Sequence, residues 1–294
     1  MMFLRELFLR AIVFFVFISV ASAAIRTVLD IQNELMEKST SHPTARIIQG
    51  RLALDGEFPY MVRITIYGGL LLPIIVGWCG GSIIAKDWIV TAGHCVTQTD
   101  LFTDFQAWYI EAGSVIANEP RQDTSLLFID AYPHPAFNPS TLLNDIALLH
   151  SGDFVLDGTY VAAIPLIPNN LNFNSLTGTL MTVCGFGLTS DNGETSKELR
   201  TTQMRIITFA SCQATYVNDT LPSTCFCADS TQTPRNAVCN GDSGGPVTTR
   251  RGNTVYLIGV VSFGSDQGCD TAPNGFTNVQ LFTTWITNTM SANS

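Results

Sequence analysis

The stretch CNGDSGGPV, residues 239–247, sets one serine among small and acidic neighbours and closes on a proline and a valine. Taken alone it reads as a surface turn, because Gly, Asp, Ser and Pro each favour turn geometry. The residues after the serine decide the fold. A serine on a sharp turn that runs into a helix implies a mixed α/β sheet. Here Pro246 and then Val247, Thr248 and Thr249 follow, and β-branched residues continue as a strand. The segment is therefore expected to be a turn between strands.

The rest of the chain agrees. Short β-branched or aromatic runs recur, divided by Gly, Pro and Asn: YMVRITIY (60–67), DWIVTAG (87–93), IALLH (146–150), LMTVCGFG (180–187) and VYLIGVVSFG (255–264). Such spacing, with few helical stretches between, predicts an all-β sandwich or barrel. Only LFTTWITNTM (281–290) reads as a helix, with Leu281, Trp285 and Thr289 at i, i+4 and i+8.

Of the 294 residues, 46% are hydrophobic and 13% charged, enough apolar material for a sizeable core. The formal charge of −9 argues against a nucleic-acid partner, since no Lys/Arg stripe exists to neutralise phosphates. Arg250-Arg251, followed by Gly252 and Asn253, is read as a solvated hairpin tip. Residues 1–23 have the form of a secretory signal peptide. Arg5 and Arg10 precede the apolar run Ala11 to Val20, and Ala21-Ser22-Ala23 supplies small residues for cleavage. No other stretch is long enough to span a bilayer, because GGLLLPIIVGW (68–78) is short and holds Pro73. The mature protein is expected to be soluble and extracellular, without membrane association. Residues 24–46 form a mixed-charge segment ending SHPTAR, followed by IIQG (47–50), an exposed place for a protease to cut. Eight cysteines in an exported chain suit disulfides. Cys225-Phe226-Cys227 has no second pair or nearby His at zinc-ligand spacing, so no metal or other cofactor is expected.

A serine nucleophile needs a general base and an acid behind it. Three histidines lie after residue 46. His134, between Pro133 and Pro135, reads as a loop residue, and His150 as a strand-end residue. His94, in VTAGHCV, ends an apolar strand beside Cys95 and is the best-placed base. Asp145, opening the apolar strand of NDIALLH, is the candidate acid. The sequence G-D-S-G-G also satisfies the G-x-S-x-G elbow of α/β-hydrolases. That fold needs its histidine after the serine, and all four histidines here precede Ser243. An esterase of that fold is excluded.

The order His94, Asp145, Ser243 matches the chymotrypsin-type triad. TAGHC (91–95), NDIALL (144–149) and GDSGGP (241–246) resemble the three signature segments of trypsin-like serine proteases. RIIQG (46–50) with GEFPYMV (56–62) resembles their activation site. The resemblance covers residues 47–294 as one protease domain and implies two packed six-stranded antiparallel β-barrels with a short C-terminal helix. It implies that His94 is the base, Asp145 its orienting acid and Ser243 the nucleophile. The amides of Gly241 and Ser243 would form the oxyanion hole. Residues 24–46 would be an activation propeptide. Cleavage after Arg46, by a protease that cuts after basic residues, would free Ile47 to pair with Asp242.

The resemblance further implies disulfides Cys79–Cys95, Cys212–Cys227 and Cys239–Cys269. Cys184 and Cys225 remain, and their even number in an exported chain suggests that they pair. Ala237, Gly264 and Asn274 fall at the three specificity-pocket positions. Ala237 replaces the aspartate that binds Lys or Arg in trypsins, so an uncharged floor would not offset the desolvation of a cation. Large apolar or aromatic side chains are expected at the cleaved position, with Asn274 adding polarity. Phe186 and Phe263 stand where the family usually has Trp, and Gln49 where Gly is common. Asn218-Asp219-Thr220 is a glycosylation sequon. The implied partners are protein or peptide substrates, the activating protease and protein inhibitors, met by a monomer. The rival reading is a non-catalytic homologue serving as a binding module. Such homologues usually lose a triad residue, and this chain keeps all three.

Overall fold

In the computed structural model the described residues are 47–69, 74–97, 106–124, 130–191, 193–217 and 220–294. The expected signal peptide and propeptide, with Arg46 and Asn218, lie outside them.

The first half builds a seven-stranded antiparallel sheet. Its strands are β2 (Met61–Gly68), β3 (Ile74–Ala85), β4 (Trp88–Thr91), β5 (Gln106–Ala112), β6 (Gln122–Thr124), β7 (Asp130–Pro133) and β8 (Ala147–His150). Their order is β6-β5-β2-β3-β4-β8-β7, and the edge strands β6 and β7 flank residues 125–129, which are not described. The second half closes on itself. β9 (Leu180–Gly185), β10 (Arg200–Ile207), β11 (Cys225–Asp229), β14 (Asn274–Asn278), β13 (Thr254–Phe263) and β12 (Pro246–Arg251) form a ring in that order, with β12 returning to β9. The short β1 (Arg51–Leu52) pairs with the first residues of β10. The all-β architecture expected from the sequence is the one observed.

Each half has its own core. Val62, Ile64, Ile66, Ile89 and Leu148 centre the first, and Val183, Met204, Val247, Ile258 and Phe276 the second. A fully buried aliphatic side chain is worth about 1.5–3 kcal/mol relative to exposure, so these apolar strand runs drive the fold. The C-terminal segment winds first as a 3-10 turn, Val279–Phe282, and then as a helix, Thr283–Ala292. Its buried face runs through Val279, Phe282 and Ile286, which join the first core. The face expected from Leu281, Trp285 and Thr289 is offset by one residue, and Leu281 is 58% exposed. The cause is the tighter first turn, capped by the Asn278 side chain accepting the Gln280 N–H.

Three disulfides are present: Cys79–Cys95, Cys212–Cys227 and Cys239–Cys269. The fourth expected pair is not formed, and Cys184 and Cys225 are free thiols. The reason is topological. Cys184 lies on β9 and packs with Met61, Phe186 and Leu199, whereas Cys225 opens β11 beside the Cys212–Cys227 bridge, with β10 between the two strands. Burial pushes both thiols up, Cys225 to about 12, so neither is a ready nucleophile.

Candidate active site

The β4–β8 ladder brings two of the expected residues together. β4 runs out of the sheet at Thr91, opposite Ala147 where β8 begins. His94 follows β4 by one short turn and opens a single helical turn, His94–Thr97, while Asp145 precedes β8 by two residues. Cys95, bridged to Cys79 on β3, ties that helical turn to the sheet.

Asp145 is completely buried and fully engaged. Its Oδ1 accepts the His94 main-chain N–H at 2.9 Å, and its Oδ2 lies 2.8 Å from His94 Nδ1. Oδ2 also accepts the Ser262 hydroxyl at 2.6 Å. An ionised carboxylate only accepts, so Nδ1 carries the proton and Nε2 keeps its lone pair. The imidazole is thereby oriented as a base. Thr277 Oγ1 donates to the Asp145 main-chain carbonyl at 2.7 Å, so β13 and β14 of the second half hold the acid of the first.

Ser243 lies on the turn before β12. Its carbonyl accepts the Gly80 N–H at 2.7 Å. Gly80 adjoins Cys79, whose disulfide partner adjoins His94, so the serine turn is fastened to the histidine's own support. The turn passes through Gly241 at φ +91°, a left-handed conformation that glycine adopts without a Cβ penalty. Among the described residues, the Gly241 and Ser243 amides have no intramolecular acceptor. Two unpaired donors beside a serine hydroxyl are suited to a developing oxyanion.

Asp242 points the other way, into the protein, and is fully buried. Its oxygens accept the N–H groups of Gly187, at 2.8 Å, and Cys239, at 3.0 Å. The fit requires glycine: a Cβ on Gly187 would sit 2.5 Å from the Asp242 carboxyl carbon. No cation faces this carboxyl among the described residues, and burial pushes it up to about 7. Ile47 is likewise fully buried. The next residue, Ile48, bridges to Ala237, whose N–H donates to the Ile48 carbonyl at 3.2 Å.

Ala237 packs with Ile48 and Cys239. Asn274 is wholly buried, its side-chain oxygen 3.3 Å from the Val238 N–H and its Nδ2 3.3 Å from the Cys269 carbonyl. A Cβ on Gly264 would lie 3.0 Å from that Nδ2, which places the carboxamide against Gly264. Asp266 is exposed.

The other histidines take structural places. His134 packs edge-on against Phe282 and Trp285, and burial lowers its pKa. His150 stacks on Trp88 at 4.3 Å between centroids. Two groupings have the residue types of metal sites, Cys79/His94/Cys95 and Asp191/Cys239/Cys269, but their sulfurs are tied in disulfides and offer no thiolate. Sequence reasoning missed Ser262 and Thr277. A serine inside the apolar run VYLIGVVSFG was the available signal, since a buried hydroxyl requires a partner.

Comparison with known proteins points one way. A family model described as Trypsin matches residues 47–286. Serine protease 1 of Drosophila melanogaster is 31% identical over 245 residues, covering 82% of this chain and 84% of that protein. Serine protease SP24D of Anopheles gambiae is 30% identical over 248 residues, covering 84% of this chain and 82% of its own. A solved structure of HL collagenase superposes with a TM-score of 0.69 at 30% identity, over 83% of this chain and 98% of that one.

Proposed function

Because the chain belongs to the trypsin family of serine proteases, we propose that it is an exported zymogen whose serine endopeptidase activity is carried by His94, Asp145 and Ser243. His94 Nε2 takes the proton of the Ser243 hydroxyl as Oγ attacks the scissile carbonyl. The oxyanion is received by the Gly241 and Ser243 amides. His94 then passes its proton to the leaving amine, and an acyl group remains on Ser243. Water, deprotonated by the same imidazole, releases it. The observation that carries this reading is the three-point hold on Asp145, which fixes the imidazole with Nε2 free.

Cleavage after Arg46 would give Ile47 a free ammonium group, and Asp242, buried with no cation among the described residues, is the group to receive it. Ala237 offers a pocket floor without charge, so cleavage after apolar or aromatic side chains is favoured over cleavage after Lys or Arg. The exported state rests on the signal-like residues 1–23. The experiment is to cut the purified chain after Arg46 and add a fluorophosphonate probe and a peptide library. Labelling confined to Ser243 and absent from Ser243→Ala is the expected result. An uncut chain as active as the cut one would remove the zymogen reading, and a dominant Lys/Arg preference would remove the pocket reading.

A further inference from the structure

Asp145 has supports that its direct contacts do not exhaust. The residue before it, Asn144, sits at φ +58°, and Leu142 at φ +53°. Both occupy the left-handed region, which is uncommon for a residue with a side chain and costs roughly 1 kcal/mol or more, less for Asn than for Leu. At Leu142 nothing specific explains the conformation. At Asn144 three bonds do; its carbonyl accepts the Ile146 N–H at 2.8 Å. Its side-chain Nδ2 donates to the Ala136 carbonyl at 2.8 Å, within its own loop. Its main-chain N–H donates to Thr224 Oγ1 at 3.0 Å, across 80 residues of sequence.

Thr224 belongs to the second half, immediately before β11, and is itself anchored. Its carbonyl accepts the Asn278 N–H at 2.9 Å. Asn278 follows Thr277, whose hydroxyl holds the Asp145 carbonyl. The peptide groups on both sides of the Asn144–Asp145 pair are therefore gripped by hydroxyls from the second half. The side chain of Asp145 is gripped by a third, from Ser262. Ser262 and Thr277 touch Asp145 itself, whereas Thr224 acts one residue upstream and touches neither His94 nor the carboxylate.

We propose that Thr224 is a positioning residue for Asp145, its hydroxyl setting the strained Asn144 peptide and so the aim of the carboxylate at His94. The inference rests on Asp145 acting through His94 as described above. A misaimed carboxylate leaves substrate contacts intact but misorients the base, so the loss falls on kcat. Misplacement of a catalytic group by about 1 Å can cost up to about 100-fold. A single bond in a network of three is expected to cost about tenfold.

The test compares Thr224→Val with Thr224→Ser in the cut enzyme, with rates expressed per titrated active site. Thr224→Val, which keeps shape and loses the acceptor, is expected to lower kcat about tenfold with KM within twofold. Thr224→Ser, which keeps the oxygen, is expected to recover most of it. Hydrogen exchange at the Asn144 amide gives a second readout, slow in the native chain and in Thr224→Ser, and fast in Thr224→Val. If Thr224→Val fails to fold, Thr224→Ala takes its place in both measurements. Unchanged kcat together with unchanged Asn144 exchange overturns the proposal, as does a Thr224→Ser variant as impaired as Thr224→Val. A native enzyme that fails to label at Ser243 would sink the proposed function instead, and Asn144 exchange would still judge the contact.

Discussion

Asp145 and Asp242 are both wholly buried carboxyls in the same protease, and they are provided for in opposite ways. Asp145 accepts three hydrogen bonds, one from an imidazole that can become a cation. Asp242 accepts two main-chain N–H groups, and no cation faces it among the described residues. Burying an ionised carboxylate costs several kcal/mol unless charge and hydrogen bonds offset it. For Asp145 the offset is built into the fold. For Asp242 it is incomplete, and burial expresses this by raising its pKa to about 7. One carboxylate is partnered by an imidazole and a hydroxyl within the fold, and the other is the group that, in the proposed zymogen, the freed Ile47 ammonium would neutralise.

The largest effect expected from breaking this contrast comes from Asp145→Asn. The amide can donate where the carboxylate only accepts, so it favours the wrong imidazole tautomer and removes the base. A fall in kcat of about 10⁴ is expected in the cut enzyme. Steady-state kinetics on a peptide substrate checks it, with Ser243 titration to count intact sites. A loss below about tenfold would mean that Asp145 does not orient His94.

Asp242→Asn should instead spare the uncut chain and disable the cut one. Removing one partner of a buried ion pair costs about 3–5 kcal/mol, so activity after cleavage is expected to fall by about 10²–10⁴. The uncut chain gives the complementary sign. The folded carboxyl titrates near 7, above its ordinary value of 3.8, so the fold holds an extra proton between those pH values. Its stability contribution is present at low pH and is lost as pH rises from about 4 to about 7, by about 4 kcal/mol. The melting temperature of the uncut protein should therefore drop on the order of 10 °C more across that range than that of Asp242→Asn. Parallel curves for the two proteins would show that the buried carboxyl finds a partner before cleavage.

How much of this was legible in the sequence follows from what sequence can encode. His94, Asp145 and Ser243 could be proposed from the sequence because each sits in a short segment whose neighbours have local duties, and because their order excluded the rival fold; of the three, the structure shows the contact of His94 with Asp145. Gly241 could be proposed for the same local reason. Thr224, Ser262 and Thr277 were not, since a hydroxyl announces no partner and theirs lie 80 to 132 residues away. The Cys184–Cys225 pair failed because an even count ignores strand order, and β10 stands between them. The helix face was off by one because periodicity cannot foresee that its first turn would be 3-10.

Asn274 sharpens the contrast as a third buried polar side chain, this one neutral. Its carboxamide uses donor and acceptor on main-chain groups, so it needs neither a charge nor a later event to be satisfied. What it does instead is occupy space beside Gly264. If those two residues line the specificity pocket, the carboxamide limits the depth available to a ring more than that available to a branched aliphatic chain. Asn274→Gly should then raise kcat/KM for Phe and Tyr relative to Leu. A difference of one to two methylene-sized groups in such a pocket is worth about tenfold or more. Competition between paired peptides that differ only at the cleaved residue measures the ratio directly. An unchanged ratio would place the Asn274 side chain outside the path of the substrate, and would leave pocket depth to Ala237 and the chain around it.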